Sequence, residues 1–476
     1  MNFISRIREQ SRTTRTFLAL CAAIVVVACC ARFVGLEVAP PGFWVDEAAI
    51  STQVICLRDT GFDWWGKDHP LFSQVLGNGF TTPTWMYLAA AWTGVFGDRI
   101  AAFRSLAALA GTFTVLGVAV FVFRSTESIV ASVFAALACA ISPWAFLGSR
   151  VAWDPSLAPA FLAWGLALTA PGLMTVPRWQ LGLAGVLFSL AAYSYPPARL
   201  TVVILLLLIG VFAFVQSRQE RFDTRGFLFG AGALYGSFLL CCLPLIDLTL
   251  SGELQGRFDR LAIWNRDYLA ARGDTSASMV VRVFLEESAK FLHPDYWIFR
   301  GDANLRHHFG FGGMLSTVDL LAWLGFIGLF LNRRLSRDSV VPILFLFAGL
   351  IAAILPAALT MEGNPHALRS NTSIVFLSGL TGLFLAEAQK CWKRTAAAIF
   401  FVGALSAAFY GWVFFKVYPA RAATWFHQAQ IQVIEERLRQ SPPDFASLDH
   451  LNYPQLAVAY HALRMKQTSC PRRAAP

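Results

Sequence analysis

The stretch FLALCAAIVVVACCARFVGLEVAPPGFWVDE, residues 17–47, sets the reading of the whole chain. Its first part stays apolar for about 20 residues, the length an α-helix needs to cross the hydrocarbon core of a bilayer. About ten residues further on, Asp46 and Glu47 stand side by side after Phe43, Trp44 and Val45. Carboxylates next to a bilayer are costly unless they are solvated, paired or in use, so this doublet reads as the wall of an interfacial active site. An acidic pair also suits a solvated loop start or the first turn of a helix, where the dipole favours negative charge. Taken alone, 17–36 is also compatible with a cleaved signal peptide, because arginines precede a short apolar core and VVACC resembles a lipoprotein cleavage site.

The same pattern recurs along the chain. Of 476 residues, 56% are hydrophobic and only 14% charged, with a mean hydropathy of +0.54; soluble domains carry about 25% charged residues. Apolar stretches lie near 17–36, 100–123, 129–149, 156–172, 179–195, 200–216, 227–248, 315–332, 340–360, 371–388 and 396–416. The expected fold is all-α, a polytopic membrane protein of about eleven transmembrane helices. A transmembrane catalytic domain, 1–416, has outer segments at about 37–99 and 249–314 and is followed by a short extracytoplasmic tail, 417–476. The segment 81–97 would invert every later loop if it spanned. Its Trp85, Tyr87 and Trp92 suit a juxtamembrane helix in the headgroup region.

The formal charge of +10 is spread over loops and forms no stripe, which argues against a nucleic-acid partner. Membrane topology explains it. With Arg6, Arg8, Arg12 and Arg15 in the cytoplasm, the inside loops carry in turn Arg124, then Arg178, then Arg218, Arg221 and Arg225, then Arg333, Arg334 and Arg337, then Lys390, Lys393 and Arg394. Every inside loop is basic, as orientation by positive charge requires. The expected setting is the inner (plasma) membrane of a bacterial cell, with the N-terminus cytoplasmic. Among nine cysteines, Cys21, Cys29, Cys30, Cys139, Cys241 and Cys242 lie in apolar runs and act as small hydrophobes. Neither a disulfide framework nor a zinc spacing is seen.

This orientation collects the scattered polar residues on one side. Asp46, Glu47, Lys67, Asp68 and His69 lie in the first outer segment, Arg150 and Asp154 at the next outer turn, and Tyr195 and Arg199 at the third. His293, Asp302, Arg306, His307 and His308 occupy the long fourth segment, and His366 and Arg369 the fifth. No outer histidine shows a closed ligand spacing, so no metal site is assigned and no cofactor is required; the histidines and acids leave room for a divalent metal.

The strings FWVDEAAISTQVICLRDTG (43–61), DHPLF (68–72), FGDRIAAFRSLAALAGTFTVLGVAVFVFR (96–124), ISPWAFLGSRVAWDPSL (141–157) and YSYPPARL (193–200) together resemble the GT-C glycosyltransferases, with the protein O-mannosyltransferases and lipid A aminoarabinose transferases as the nearest in kind. The resemblance returns at GDANLRHHFGFGG (301–313) and ILPAALTMEGNPHALRS (354–370). It implies an enzyme that takes a sugar from a polyprenyl-phosphate donor on the outer side of the membrane. It also implies that Asp46 is the catalytic base and Asp154 a second acidic position. The relatives commonly carry a double proline where this chain has 68–71, and the donor-phosphate role there falls to Lys67 or His69.

The chemistry suits these residue types. Sugar transfer from a lipid phosphate requires an acceptor hydroxyl to lose a proton as the C1–phosphate bond breaks, and a carboxylate opposite the leaving group supplies the base. The departing phosphate needs charge-assisted donors, for which Lys67, Arg199, Arg306, His307 and Arg369 are candidates, with His69, Arg150 and Tyr195 near them in the outer turns. For Arg104 and Arg150 an equal reading is that they anchor span ends by snorkelling. The acceptor is a lipid, a glycan or a protein. The competing functions are a lipid or oligosaccharide transporter, which would place its charges near the bilayer midplane, and a polysaccharide polymerase or ligase of another fold.

Overall fold

The computed structural model describes residues 7, 9–76, 79–217, 224–254, 256–392, 394–440 and 454–470. Arg6, Arg8, Arg218, Arg221 and Lys393, named above for the inside loops, lie outside the described residues.

Each of the eleven expected spans falls on helix. In chain order the helices are α1 (Arg12–Ala31), α2 (Val45–Thr60), α3 (Pro83–Phe96), α4 (Ile100–Thr126), α5 (Ile129–Ile141), α6 (Pro143–Gly148), α7 (Ala158–Thr169), α8 (Arg178–Ser194), α9 (Pro196–Ser217) and α10 (Thr224–Leu250). They continue with α11 (Gly256–Leu261), α12 (Arg266–Ala271), α13 (Ala277–Lys290), α14 (Thr317–Leu331), α15 (Arg337–Ala358), α16 (Ser373–Cys391), α17 (Thr395–Trp412), α18 (Tyr418–Ala422), α19 (Gln428–Gln440) and α20 (Gln455–Arg464). Seven described helices are long and apolar enough to cross a bilayer unaided, and α5 and α14 are shorter apolar helices. The stretch expected as a single span at 129–149 is broken at Pro143: proline has no N–H for the helical ladder, and Ser142 caps a new helix by accepting from the Ala145 amide. The juxtamembrane segment is helical as α3, opened by Pro83 at its first position. A two-stranded antiparallel ribbon, β1 (Ser73–Gln74) and β2 (Phe80–Thr81), leads into it.

The bundle packs around α16, in which every side chain from Ser373 to Ala388 is buried. It leans on α5, α14 and α15, and α5 in turn packs on α1 and α4. A Cβ on Gly382 would meet the Ala131 carbonyl at 2.5 Å, so glycine is what allows α16 and α5 to touch along their backbones. The outward surface is apolar, with Val26, Val27, Leu207, Leu240, Leu324, Phe330 and Phe401 exposed as lipid-facing positions require.

A second core lies at one end of the bundle. It joins Phe43, Val54, Trp85, Phe103, Trp153, Phe414, Tyr418, Ile434 and Tyr460. The described part of 417–476 therefore packs in one core with the first outer segment. A disulfide between Cys56 and Cys470 ties them covalently, which corrects the reading that no disulfide framework exists. The two cysteines are 414 residues apart, beyond the reach of any spacing rule.

All connections expected outside meet at this end. Thr82 donates to Asp154 (2.7 Å), Asn371 to the Pro155 carbonyl (2.7 Å), Ala367 to Asp302 (2.8 Å), Met361 to the Leu261 carbonyl (2.9 Å) and Tyr418 to the Leu305 carbonyl (2.6 Å). At the opposite end Arg124 donates to Gln180 (3.2 Å), and Glu387 accepts from Ser336 and Ser339.

Candidate active site

Asp46 lies in the first turn of α2 and keeps part of its surface exposed. None of the described residues donates a hydrogen bond to it. Two guanidiniums flank it, Arg257 from α11 and Arg306 from the fourth segment. Burial pushes the Asp46 carboxyl up to about 6, against the pull of Arg257 and then Arg306, with Glu47 adding to the rise.

Glu47, expected to act beside Asp46, is instead fully buried and saturated. Arg104 grips it with two bonds of 2.9 Å, and the amides of Trp44 (3.1 Å) and Ala152 (2.8 Å) complete its shell. The remaining Arg104 donors go to the carbonyls of Leu36, Pro40 and Gly42. This pair fixes the entry to α2, and removing either partner would strand a buried charge at a cost of about 3–5 kcal/mol. Arg150 is likewise withdrawn from the substrate-binding role expected of it. It is wholly buried, and its guanidinium donates to the carbonyls of Ala31, Arg32, Val34 and Ala39 at 2.6–3.1 Å, closing the end of α1.

Asp154 opens a short 3-10 turn (Asp154–Ser156) and accepts from the Thr82 amide and, at 3.3 Å, the Thr81 hydroxyl. It thereby holds the start of α3. Burial pushes its carboxyl up to about 7, against these bonds. Tyr195, between α8 and α9, lies among Arg369, Arg257 and Asp154. Arg369 is pinned by the Thr360 hydroxyl and the Glu362 carbonyl, both at 2.7 Å. Arg306 is freer: its guanidinium stacks 4.0 Å from the Trp44 ring centroid and, among the described residues, donates only to Asn304 at 3.1 Å.

Behind Arg306 stand Asp302, His307 and His366, whose ligand atoms all lie within 4.8 Å of one another. The Asp302 carboxylate meets His307 Nδ1 at 3.0 Å and accepts from the Asn304 and Ala367 amides. Burial alone would push Asp302 up, but the His307 bond and the neighbouring imidazoles hold it below the usual range. Burial lowers His307, against the pull of its bond to Asp302, and drives His366 well down, with His307 and Arg369 adding to the drop. Asp302, His307 and His366 together have the donor types of a divalent-ion site, although His307 Nδ1 is engaged by Asp302 and His366 Nδ1 accepts from the Arg369 amide at 3.4 Å.

Lys67 and His69 do not join this group. Both are exposed, and they line a separate concavity with Phe72, Phe80, Leu248 and Glu253. Arg199 lies 5.7 Å from the Phe72 ring centroid, and its buried Nε has no partner among the described residues. Of the expected set, the structure thus brings together Asp46, Asp154, Tyr195, Arg306, His307 and Arg369. Sequence reasoning missed Arg257, one of several arginines in the long fourth segment (Arg260, Arg266 and Arg272 follow it) with no local signal to single it out. Its Nη1 lies 2.9 Å from where a Cβ on Gly79 would sit, so that glycine leaves room for the guanidinium.

No family model and no curated protein matches the sequence. Solved structures do. An oligosaccharyltransferase from Archaeoglobus fulgidus in the apo form matches with a TM-score of 0.51 and 15% identity, over 96% of this chain and 61% of that chain. The archaeal oligosaccharyltransferase AglB from Archaeoglobus fulgidus, in complex with an inhibitory peptide and a dolichol-phosphate, gives 0.50 and 13%, with the same coverage. ArnT from Cupriavidus metallidurans bound to undecaprenyl phosphate gives 0.48 and 13%, over 94% of this chain and 77% of that one. This chain spans less than two thirds of the oligosaccharyltransferase. The likeness is one of fold, that of a polytopic GT-C membrane protein.

Proposed function

From the GT-C fold shared with a membrane oligosaccharyltransferase, we propose that this protein is an inverting glycosyltransferase. It moves a sugar from a polyprenyl-phosphate donor to a hydroxyl of a lipid, glycan or protein on the outer face of the membrane. The observation that carries the reading is Asp46, a partly exposed carboxylate with no hydrogen-bond donor among the described residues and two guanidiniums beside it. Such a group is a base in waiting: it takes the acceptor proton while Arg257 and Arg306 meet the negative charge that grows on the departing phosphate. Arg369 and Tyr195 lie at the edge of the same centre, and Asp154 keeps the start of α3 in place. A divalent ion on Asp302, His307 and His366 would add positive charge beside that phosphate. The dolichol-phosphate carried by the related oligosaccharyltransferase supports the donor class.

Two features support the outer face. The inside connections are basic, and the Cys56–Cys470 disulfide belongs to an oxidising compartment. The test compares surface glycans and glycolipids by mass spectrometry in cells with and without the gene. Deletion should remove a residue of defined mass. Wild type should restore it, while Asp46→Asn, which keeps size but cannot take a proton, should lower transfer by about 10²–10⁴-fold. Restoration by Asp46→Asn at the wild-type rate would remove Asp46 as the base.

A further inference from the structure

Asp46 and Arg306 come to the active centre from remote parts of the chain, and one short stretch holds both. Residues 418–428, which comprise α18 and the turn after it, grip the Arg306 loop on either side of that residue. The Tyr418 hydroxyl donates to the Leu305 carbonyl at 2.6 Å, and Arg421 donates to the Gly310 carbonyl at 2.9 Å while lying 5.0 Å from the Phe311 ring centroid. The same stretch lies against the entry to α2. A Cβ on Gly42, whose φ is +65°, would stand 2.5 Å from the Phe426 carbonyl oxygen and 2.9 Å from the Gln428 Cα, so glycine there lets the two backbones meet. From this stretch Trp425 brings its ring centroid to 5.4 Å from the Arg306 guanidinium carbon, which lies 4.0 Å from that of Trp44.

We propose that Trp425 is a positioning residue of the transfer site: with Trp44 it holds the Arg306 guanidinium against aromatic rings and leaves both Nη groups for the oxygens of the donor phosphate. The inference rests on the glycosyltransferase reading and deepens it. An aromatic face attracts a cation through its quadrupole and takes up none of its N–H donors. Among the described residues the Arg306 side chain donates only through Nε, to Asn304, so both Nη groups are unspent. A carboxylate in place of the rings would fix the guanidinium as well, but it would claim those donors and cancel the charge. The placement also bears on the base. Burial raises Asp46, and Arg306 follows Arg257 in opposing that rise. The tail thus reaches the reacting centre through one indole, beyond its packing on the first outer segment.

The test measures binding of undecaprenyl phosphate by the full-length protein in detergent, with the unfolding midpoint read beside it so that only folded variants are compared. Trp425→Leu and Trp425→Met refill the space with apolar atoms and remove the ring, so one serves if the other does not fold. Either should weaken binding by about three- to tenfold, whereas Trp425→Phe, which keeps an aromatic face, should stay within about twofold of wild type. The deciding arm is the cycle with Arg306→Gln. If Trp425 acts through Arg306, adding Trp425→Leu or Trp425→Met to Arg306→Gln should change affinity by less than about twofold. Wild-type affinity in Arg306→Gln or in the folded ring-less variants, or an equal loss with and without the Arg306 guanidinium, would overturn the proposal while the donor class stands. Failure of wild type to bind undecaprenyl phosphate would instead bring down the donor class, and this inference with it.

Discussion

At the scale of single residues the site turns on two adjacent carboxylates with opposite fates. Asp46 titrates at about 6 because burial outweighs its two cationic neighbours. In the unfolded chain it would titrate near 3.9, so the folded state holds a proton that the unfolded state releases. Asp46 therefore adds stability below that window and loses it as pH rises from about 4 to about 6. The base form, which catalysis needs, becomes the majority only above the window. The expected pH profile of kcat/KM has an acid limb near 6, not near 4. Arg257→Gln removes the cation that lowers Asp46 most and should move that limb upward. A limb that stays in place in Arg257→Gln would show that the titrating group lies elsewhere.

At the scale of elements, α2 is clamped at both ends. The Glu47–Arg104 pair holds its first turn. Along its length, Thr52 donates to the Leu456 carbonyl at 2.8 Å, and Cys56 is joined to Cys470 just past α20. Tyr460 of α20 is buried, packs 4.8 Å from Phe43 and donates to the Asp98 carbonyl at 2.9 Å. Helix α20 thus braces the element that carries Asp46. Of the nine cysteines, the structure leaves seven free. Alkylation of the denatured protein without reductant should add seven groups by intact mass, and nine after reduction; nine without reductant would remove the clamp. Cys470→Ser should cost roughly 2–4 kcal/mol of stability, read as a lower unfolding midpoint.

At the scale of the whole molecule, the connections sort into two ends. One is mostly basic, and the other gathers Asp46, Asp154, Asp302, His307 and the described tail. If the bundle spans the membrane as proposed, an impermeant thiol reagent applied to intact cells should modify cysteines introduced at Asp68 and Arg300, exposed positions of the first and fourth segments. The exposed Arg334 connection should react only after permeabilisation. Modification beside Arg334 in intact cells would turn the protein over and place the site on the cytoplasmic side.

The sequence by itself determined the bundle and its first acidic turn. A span in lipid must satisfy its backbone internally and bury about 20 apolar residues, a demand that seven of the described helices meet locally whatever their neighbours do. Only the tertiary structure decided which polar groups work together. Asp46 and Glu47 are chemically alike and adjacent, yet side chains one residue apart on a helix point about 100° apart; one faces Arg104 and is spent, and the other faces an open centre. Arg257 entered that centre, and Lys67 and His69 left it, by the path of loops whose local sequence carries no record of where they end. Cys56 and Cys470 met across 414 residues because α20 packs on α2. Helix formation in a membrane is decided by the solvent around one segment, whereas the state of a side chain is decided by whichever distant residue folding brings against it.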